Sequence, residues 1–216
     1  WRIRARRLRV QLEHYLVARD MVFYVDEVPI FYLPYFTYPA KTQRQTGLLV
    51  PRFGYSTQHG FKYNQSFYWA ISQSQDATIS LDHRGKKGDG GGLEYRYALA
   101  KESGGRLQGN YFRDTATEVG RWDLRYVHQQ RFSERVAAKL NLHYVNQQNN
   151  FLQLSDVTAE RAQQNIESDF FLTYRGDESF AYLLARYTLN LTTPNNDTTL
   201  QRLPEIGYSL TQHRLG

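Results

Sequence analysis

The residues that could do chemistry here are numerous, but they are not spaced for catalysis. The six histidines are scattered and show no paired metal-ligand spacing. Cysteine is absent, which excludes a cysteine-ligated metal and a disulfide scaffold within these residues. Serine, histidine and aspartate occur without a nucleophile elbow. The run Gly85-Lys86-Lys87-Gly88-Asp89-Gly90-Gly91-Gly92 has the glycine content of a phosphate loop. It lacks the Gly-Lys-Ser/Thr ending and a following helix, so it reads as a flexible outer loop. Asn190-Leu191-Thr192 and Asn196-Asp197-Thr198 match glycosylation sequons, a frequent chance match. No catalytic residue, metal site or cofactor is expected.

Two other sets of residues carry physical meaning. Arg52, Lys62, Arg84, Arg96, Arg113, Arg121, Arg125 and Lys139 fall mostly on the polar positions of alternating segments, or near their ends. Guanidinium binds phosphate bidentately, so such a row suits either anion binding or plain solvation of a polar wall. Pro51 interrupts an otherwise strand-like segment. Proline cannot donate to a ladder and belongs on an edge or at a bulge. An edge strand tolerates it passively; a deliberately weak seam would use it. The net charge of +6 favours an anionic partner without choosing among nucleic acid, phosphate and lipid head group.

The elements that must position these residues are strands. Leu93, Tyr95, Tyr97 and Leu99 alternate with Glu94, Arg96, Ala98 and Ala100. Trp122, Leu124 and Tyr126 alternate with Arg121, Asp123 and Arg125, and Ala138, Leu140, Leu142 and Tyr144 follow the same rule. A period of two with one apolar face marks a half-buried strand. No stretch holds a helical stripe of three turns; 156–166 is a weak helix candidate inside a long loop. The most apolar run, 28–40, contains Pro29, Pro34 and Pro39, and a membrane-crossing helix is excluded there. From Gly47 onward ten strands are predicted, near 47–56, 60–72, 75–84, 91–102, 105–113, 119–131, 134–147, 165–176, 178–192 and 200–212. Most reach the roughly 9–11 residues that a tilted strand needs to cross a bilayer. Every second connection is short (73–74, 103–104, 132–133 and Asp177), and 148–164 is the longest. Transmembrane β-barrels show that asymmetry. The first 45 residues differ: Ile3, Ala5, Leu8 and Val10 form a strand with an expected bulge, Leu16–Val25 a second and Val28–Phe36 a third. Lys41-Thr42-Gln43-Arg44-Gln45 then breaks the pattern, and a domain boundary is placed there.

Val28-Pro29-Ile30-Phe31-Tyr32-Leu33-Pro34-Tyr35, then Pro39, then Arg44-Gln45-Thr46-Gly47-Leu48-Leu49-Val50-Pro51 resembles the junction of the LPS-assembly outer-membrane protein LptD family. Trp1-Arg2-Ile3-Arg4-Ala5, Phe67-Tyr68-Trp69-Ala70-Ile71, Asp76-Ala77-Thr78-Ile79 and Gly92-Leu93-Glu94-Tyr95-Arg96-Tyr97 continue the likeness over residues 1 to about 100. Beyond that it consists of the hairpin rhythm and Leu203-Pro204-Glu205.

The resemblance implies an all-β chain in two parts. Residues 1–45 would be the last strands of a periplasmic β-jellyroll, and 46–216 about ten antiparallel strands of a large transmembrane β-barrel, incomplete here. It implies lipopolysaccharide assembly into the outer leaflet of the cell outer membrane, without enzymatic activity. Ile30, Phe31, Leu33 and Tyr35 would line a lipid conduit at the jellyroll–barrel junction. Leu49, Pro51, Phe53 and Tyr55 would lie on a lateral gate strand. Arg52, Lys62, Arg96, Arg121, Arg125 and Lys139 would form a basic luminal face. The implied partners are lipopolysaccharide, the plug lipoprotein LptE, the periplasmic bridge protein LptA and membrane lipid, with no nucleic acid. Ser66 stands where the family often has a second gate proline, which puts weakening at that strand in question. The residues taken without the resemblance also fit a generic porin or adhesin barrel, or a soluble basic β protein. A porin has no segment like 28–35 leading into its first strand. The chain reads as an internal piece or a processed product.

Overall fold

The computed structural model describes residues 2–10, 15–39, 44–146, 164–193 and 195–210. All of its regular elements are strands, and they form two antiparallel sheets. No described helix is long and apolar enough to cross a membrane, which leaves crossing by strands open. Residues 156–163 of the 156–166 helix candidate, most of the 148–164 connection and 41–43 lie outside the described residues, and the end of that candidate, Asn165 and Ile166, begins a strand instead.

The first sheet has the order β1 (Arg2–Val10), β2 (Tyr15–Val25), β3 (Val28–Pro39). Apolar rungs cross it at Ile3–Phe23–Phe31 and Ala5–Met21–Leu33, and again at Leu8–Ala18–Phe36 and Val10–Leu16–Tyr38. Leu8 is five residues from Ile3, an odd step that would put the two sets on opposite faces of a regular strand. The expected bulge in β1 is not where the irregularity falls. The β1–β2 register runs unbroken from Arg2↔Tyr24 to Val10↔Leu16. Instead Asp20, between the two sets on β2, has φ 51°. A second irregularity shifts the β2–β3 register between Phe23 and Tyr24 and leaves Ile30 as the extra residue on β3.

The second sheet starts with two short pieces, β4 (Gly47–Leu48) and β5 (Arg52–Ser56), both paired to β6 (Gly60–Ser72). It continues in chain order through β7 (Gln75–Arg84), β8 (Gly88–Ala100), β9 (Ser103–Asp114), β10 (Gly120–Arg131), β11 (Val136–Val145), β12 (Asn165–Arg175), β13 (Ser179–Asn190) and β14 (Arg202–Leu210). Every pair is antiparallel with its sequence neighbour. Among the described residues, β14 does not pair with β4 or β5, so the sheet has two free edges.

Sequential pairing places the connections on alternate rims. Turns 73–74, 101–102, 132–135 and 176–178 share one rim; 57–59, 85–87 and 115–119 share the other, where the chain also leaves β11 and β13 and enters β12 and β14. Backbone bonds tie the second rim together: Lys86 N–H to His59 C=O at 3.0 Å and Thr115 N–H to Lys87 C=O at 2.8 Å. The 85–90 loop expected from its glycines is shorter than that, because Gly88–Gly92 belong to β8. Their neighbours approach too closely for side chains. A Cβ on Gly90 would lie 2.6 Å from the Phe112 ring, and one on Gly88, at φ +125°, would lie 2.1 Å from Arg113 C=O. Glycine here allows close strand approach rather than flexibility.

The two faces of this sheet differ. Ile79, Leu93, Leu107, Leu124 and Leu142 share one face, as their register positions require, and Ile79, Leu93, Leu124 and Leu142 on it are exposed. Tyr111, Trp122 and Tyr144 border this face towards the long-loop rim, with Trp122 and Tyr144 rings 5.2 Å apart. Towards the short-turn rim it carries Tyr95, Tyr97, Tyr126 and His128; Tyr97 Oη lies 2.7 Å from Tyr126 Oη and 2.8 Å from His128 Nδ1. The opposite face holds most of the charged and amide side chains.

Candidate functional site

Leu49, Pro51, Phe53 and Tyr55, expected on a lateral gate strand, lie on or beside the broken first strand of the second sheet. Gly47 and Leu48 pair with Tyr68 and Phe67, whereas Arg52 and Phe53 pair with Asn64 and Tyr63. Between these points the first strand advances four residues and its partner three, so one extra residue is accommodated around Val50 and Pro51. A bulge is where a residue without an N–H costs the ladder least. Leu49 N–H still donates to Ser66 C=O at 2.8 Å. Leu49 C=O is met by a side chain, with Gln65 Nε2 at 2.8 Å, and the same amide nitrogen donates to Ser66 C=O at 3.0 Å. Phe53 and Tyr55 lie beyond the bulge on the apolar face, opposite Tyr63 and Phe61. The Phe53 ring is 5.3 Å from Tyr63 and 5.0 Å from Phe31 of the first sheet.

That contact joins a residue expected to line a lipid conduit to one expected on the gate strand. Phe31 and Leu33 are half-buried and sit on consecutive rungs with Phe23 and Met21. Tyr35 pairs with Arg19 and is exposed. Ile30, the bulge residue, is exposed and outside the ladder of pairs. Nearby, Tyr32 Oη donates to Asp20 Oδ1 at 2.6 Å. That bond to a carboxylate, then desolvation, raises the Tyr32 phenol above its ordinary pKa.

The predicted basic residues share the polar face but are not equivalent. Arg52 Nη2 donates to Asn64 Oδ1 at 3.1 Å, and Lys62 sits opposite Arg84 and Gly54. Arg96 Nε donates to Asp76 Oδ1 at 2.7 Å, and Arg121 Nη1 lies 3.6 Å from Asp114 Oδ2. Both cations therefore have fixed counter-charges. Arg125 Nε lies 3.2 Å from His143 Nε2, and Lys139 pairs with Gln129 nearer the short-turn rim. Arg106, Arg125, Asn141, His143, Asn165 and Glu167 line a cavity of about 390 Å³ on this face. Arg106 and His143 were not singled out in the sequence. Their polar parity was visible, but their adjacency depends on register.

A second cluster is also missing from the sequence reading. Asp76 is buried and bridges two guanidiniums: Arg44 Nη1 reaches Asp76 Oδ2 at 3.0 Å while Arg96 holds the other oxygen. Ala70 N–H donates to Thr46 Oγ1 at 3.0 Å. The segment preceding β4 is thus pinned to β6 and β7 by Arg44 and Thr46. The sequence signal was present but indirect: Arg44 and Asp76 each stand in a family-like motif, 32 positions apart.

The profile of the LptD protein family matches residues 16–214. The chain is 31% identical over 193 residues, 88% of its length, to the LPS-assembly protein LptD of Pseudoalteromonas atlantica. It is 28% identical over 215 residues, 97% of its length, to that of Vibrio cholerae. Identity reaches 42% over 98 residues, 45% of the chain and 12% of the relative, for LPS-assembly protein LptD of Xylella fastidiosa. The chain spans about a quarter of the two longer-matched relatives, 25% and 27%.

Proposed function

This chain belongs to the LptD protein family, and on that premise we propose that it forms part of a lipopolysaccharide translocon of the cell outer membrane. In this reading residues 1–45 are the last strands of a periplasmic jellyroll and 46–216 the first strands of the barrel. The short-turn rim faces the periplasm and the long-loop rim the exterior. The observation that carries the reading is the two-faced second sheet. One face exposes a wall of Ile and Leu bordered by Tyr and Trp at both rims, and the other is polar and charged. Exposed apolar wall of that extent needs lipid or a partner to cover it, and aromatic girdles at both rims are what a bilayer-spanning barrel presents.

The division of labour follows from the chemistry of the cargo, an acylated, phosphorylated saccharide. Acyl chains need a dry, apolar track, and Phe31 and Leu33 on the first sheet offer one, with Ile30 and Tyr35 at its margins. The saccharide needs a wet, hydrogen-bonding wall, and the polar face of β6–β13 offers that. Arg125, with Arg106 and His143, lines a cavity in this wall, where guanidinium offers the bidentate geometry that phosphate takes. Exit must be lateral, beside the strand that Pro51 breaks. LptE as the plug and LptA as the bridge complete the assembly in this reading.

The test is Phe31→Asp in the full-length protein with its partner lipoprotein. A carboxylate in an apolar lipid track is costly to pass. We expect barrel assembly to be retained and surface lipopolysaccharide to fall severely. Normal surface lipopolysaccharide in that variant would contradict the conduit.

A further inference from the structure

Gln65 is out of place in its own strand. Phe61, Tyr63, Phe67, Trp69 and Ile71 share its face of β6, so position 65 falls within the apolar wall. An amide there should be costly, because no water is at hand to satisfy it in a bilayer. The structure explains the residue. Nε2 reaches Leu49 C=O at 2.8 Å and Ser66 C=O at 3.0 Å, and Oε1 accepts the Tyr63 hydroxyl at 3.2 Å. The amide nitrogen therefore spans from β6 to the bulged strand at the point where Leu49–Pro51 leave the regular ladder.

We propose that Gln65 is the positioning residue of the expected gate strand, a side-chain latch that supplies Leu49 C=O with the donor the bulge withholds and so, beside the remaining Leu49 N–H to Ser66 C=O bond, holds segment 49–51 against β6. A side-chain bond can be released by one rotamer change, without unzipping β4 or β5 from β6. The first strand can then flex at Pro51 while its two paired ends stay in register. This puts the adjustable element of the seam on Gln65. The inference rests on the proposed lateral exit for its biological meaning, but not for its physical test.

The test is hydrogen exchange on the full-length protein with its lipoprotein, in lipid nanodiscs, comparing the wild type with Gln65→Leu and Gln65→Glu. Leucine removes the amide; glutamate keeps the size and, when ionised, loses the donor. Both should raise exchange of the 48–53 segment about three- to tenfold, the range that one net hydrogen bond supports. The thermal midpoint and exchange in β8–β11 should not change. Tyr63→Phe, which removes only the bond to Oε1, should give a smaller increase in the same segment. Exchange of 48–53 unchanged in Gln65→Glu, or raised equally across the barrel, would overturn the latch. If neither Gln65 variant assembles, unchanged exchange in Tyr63→Phe overturns it. None of these readouts uses lipopolysaccharide, so the latch and the transport reading can fail separately.

Discussion

At the residue scale, some charged groups on the polar face are held in buried ion pairs and others are not buried. Asp76 belongs to the first kind. Its side chain is 3% exposed, while its partners Arg44 and Arg96 are 60% and 49% exposed. Replacing it with asparagine leaves two guanidiniums beside a buried neutral group. We expect Asp76→Asn to cost about 1–3 kcal/mol, read as a lowered unfolding midpoint of the intact protein. Asp89 is the control. It meets His83 at 2.6 Å but is 76% exposed, and Asp89→Asn should change stability by less than about 0.5 kcal/mol. The sequence marked eight basic residues by parity or strand-end position, and the resemblance assigns six of them to this face. It did not reveal that Asp76 and Asp114 already engage two of them, because cross-strand partners follow from register. Gln65 was legible in principle: it is the amide in a run of aromatic and apolar outward positions.

At the element scale, period-two alternation made the strands of the second sheet readable almost to their ends, since a half-buried strand must alternate. Two errors have definite causes. Strand 47–56 was read as continuous, but the bulge at Val50 and Pro51 divides it into β4 and β5. The start of β8 was placed too late because a glycine run carries no apolar alternation, although steric closeness to β9 is what selects it. That gives a prediction. Gly88→Ala should cost about 1–3 kcal/mol through backbone strain and lower the yield of assembled barrel. Gly54→Ala should be tolerated, since a Cβ there meets only Lys62 Cβ at 3.9 Å. Heat-modifiable migration of the folded barrel separates the two outcomes. In the first sheet, the change of apolar side between Ala5 and Leu8 was visible as a break in β1. The backbone irregularity belongs to Asp20 on the neighbouring strand, which β1's own sequence does not encode.

At the scale of the whole molecule, the second sheet has two free edges among the described residues and two unlike faces. A sheet edge within lipid leaves backbone groups unsatisfied, so the edge at β4 and β5 needs another strand of the full protein beside it. The bulge makes that edge the least regular part of the wall; in the proposed reading the polar face behind it takes the saccharide while acyl chains pass outward. The central claim is that cargo leaves sideways at this seam. The most direct measurement is a reversible disulfide between a cysteine placed in β5 and one placed in the full protein's last strand, with delivery of lipopolysaccharide to the surface followed before and after reduction. Delivery should stop when the bond forms and resume when it is reduced, with the barrel folded throughout. Undiminished delivery through a covalently locked seam would contradict the account.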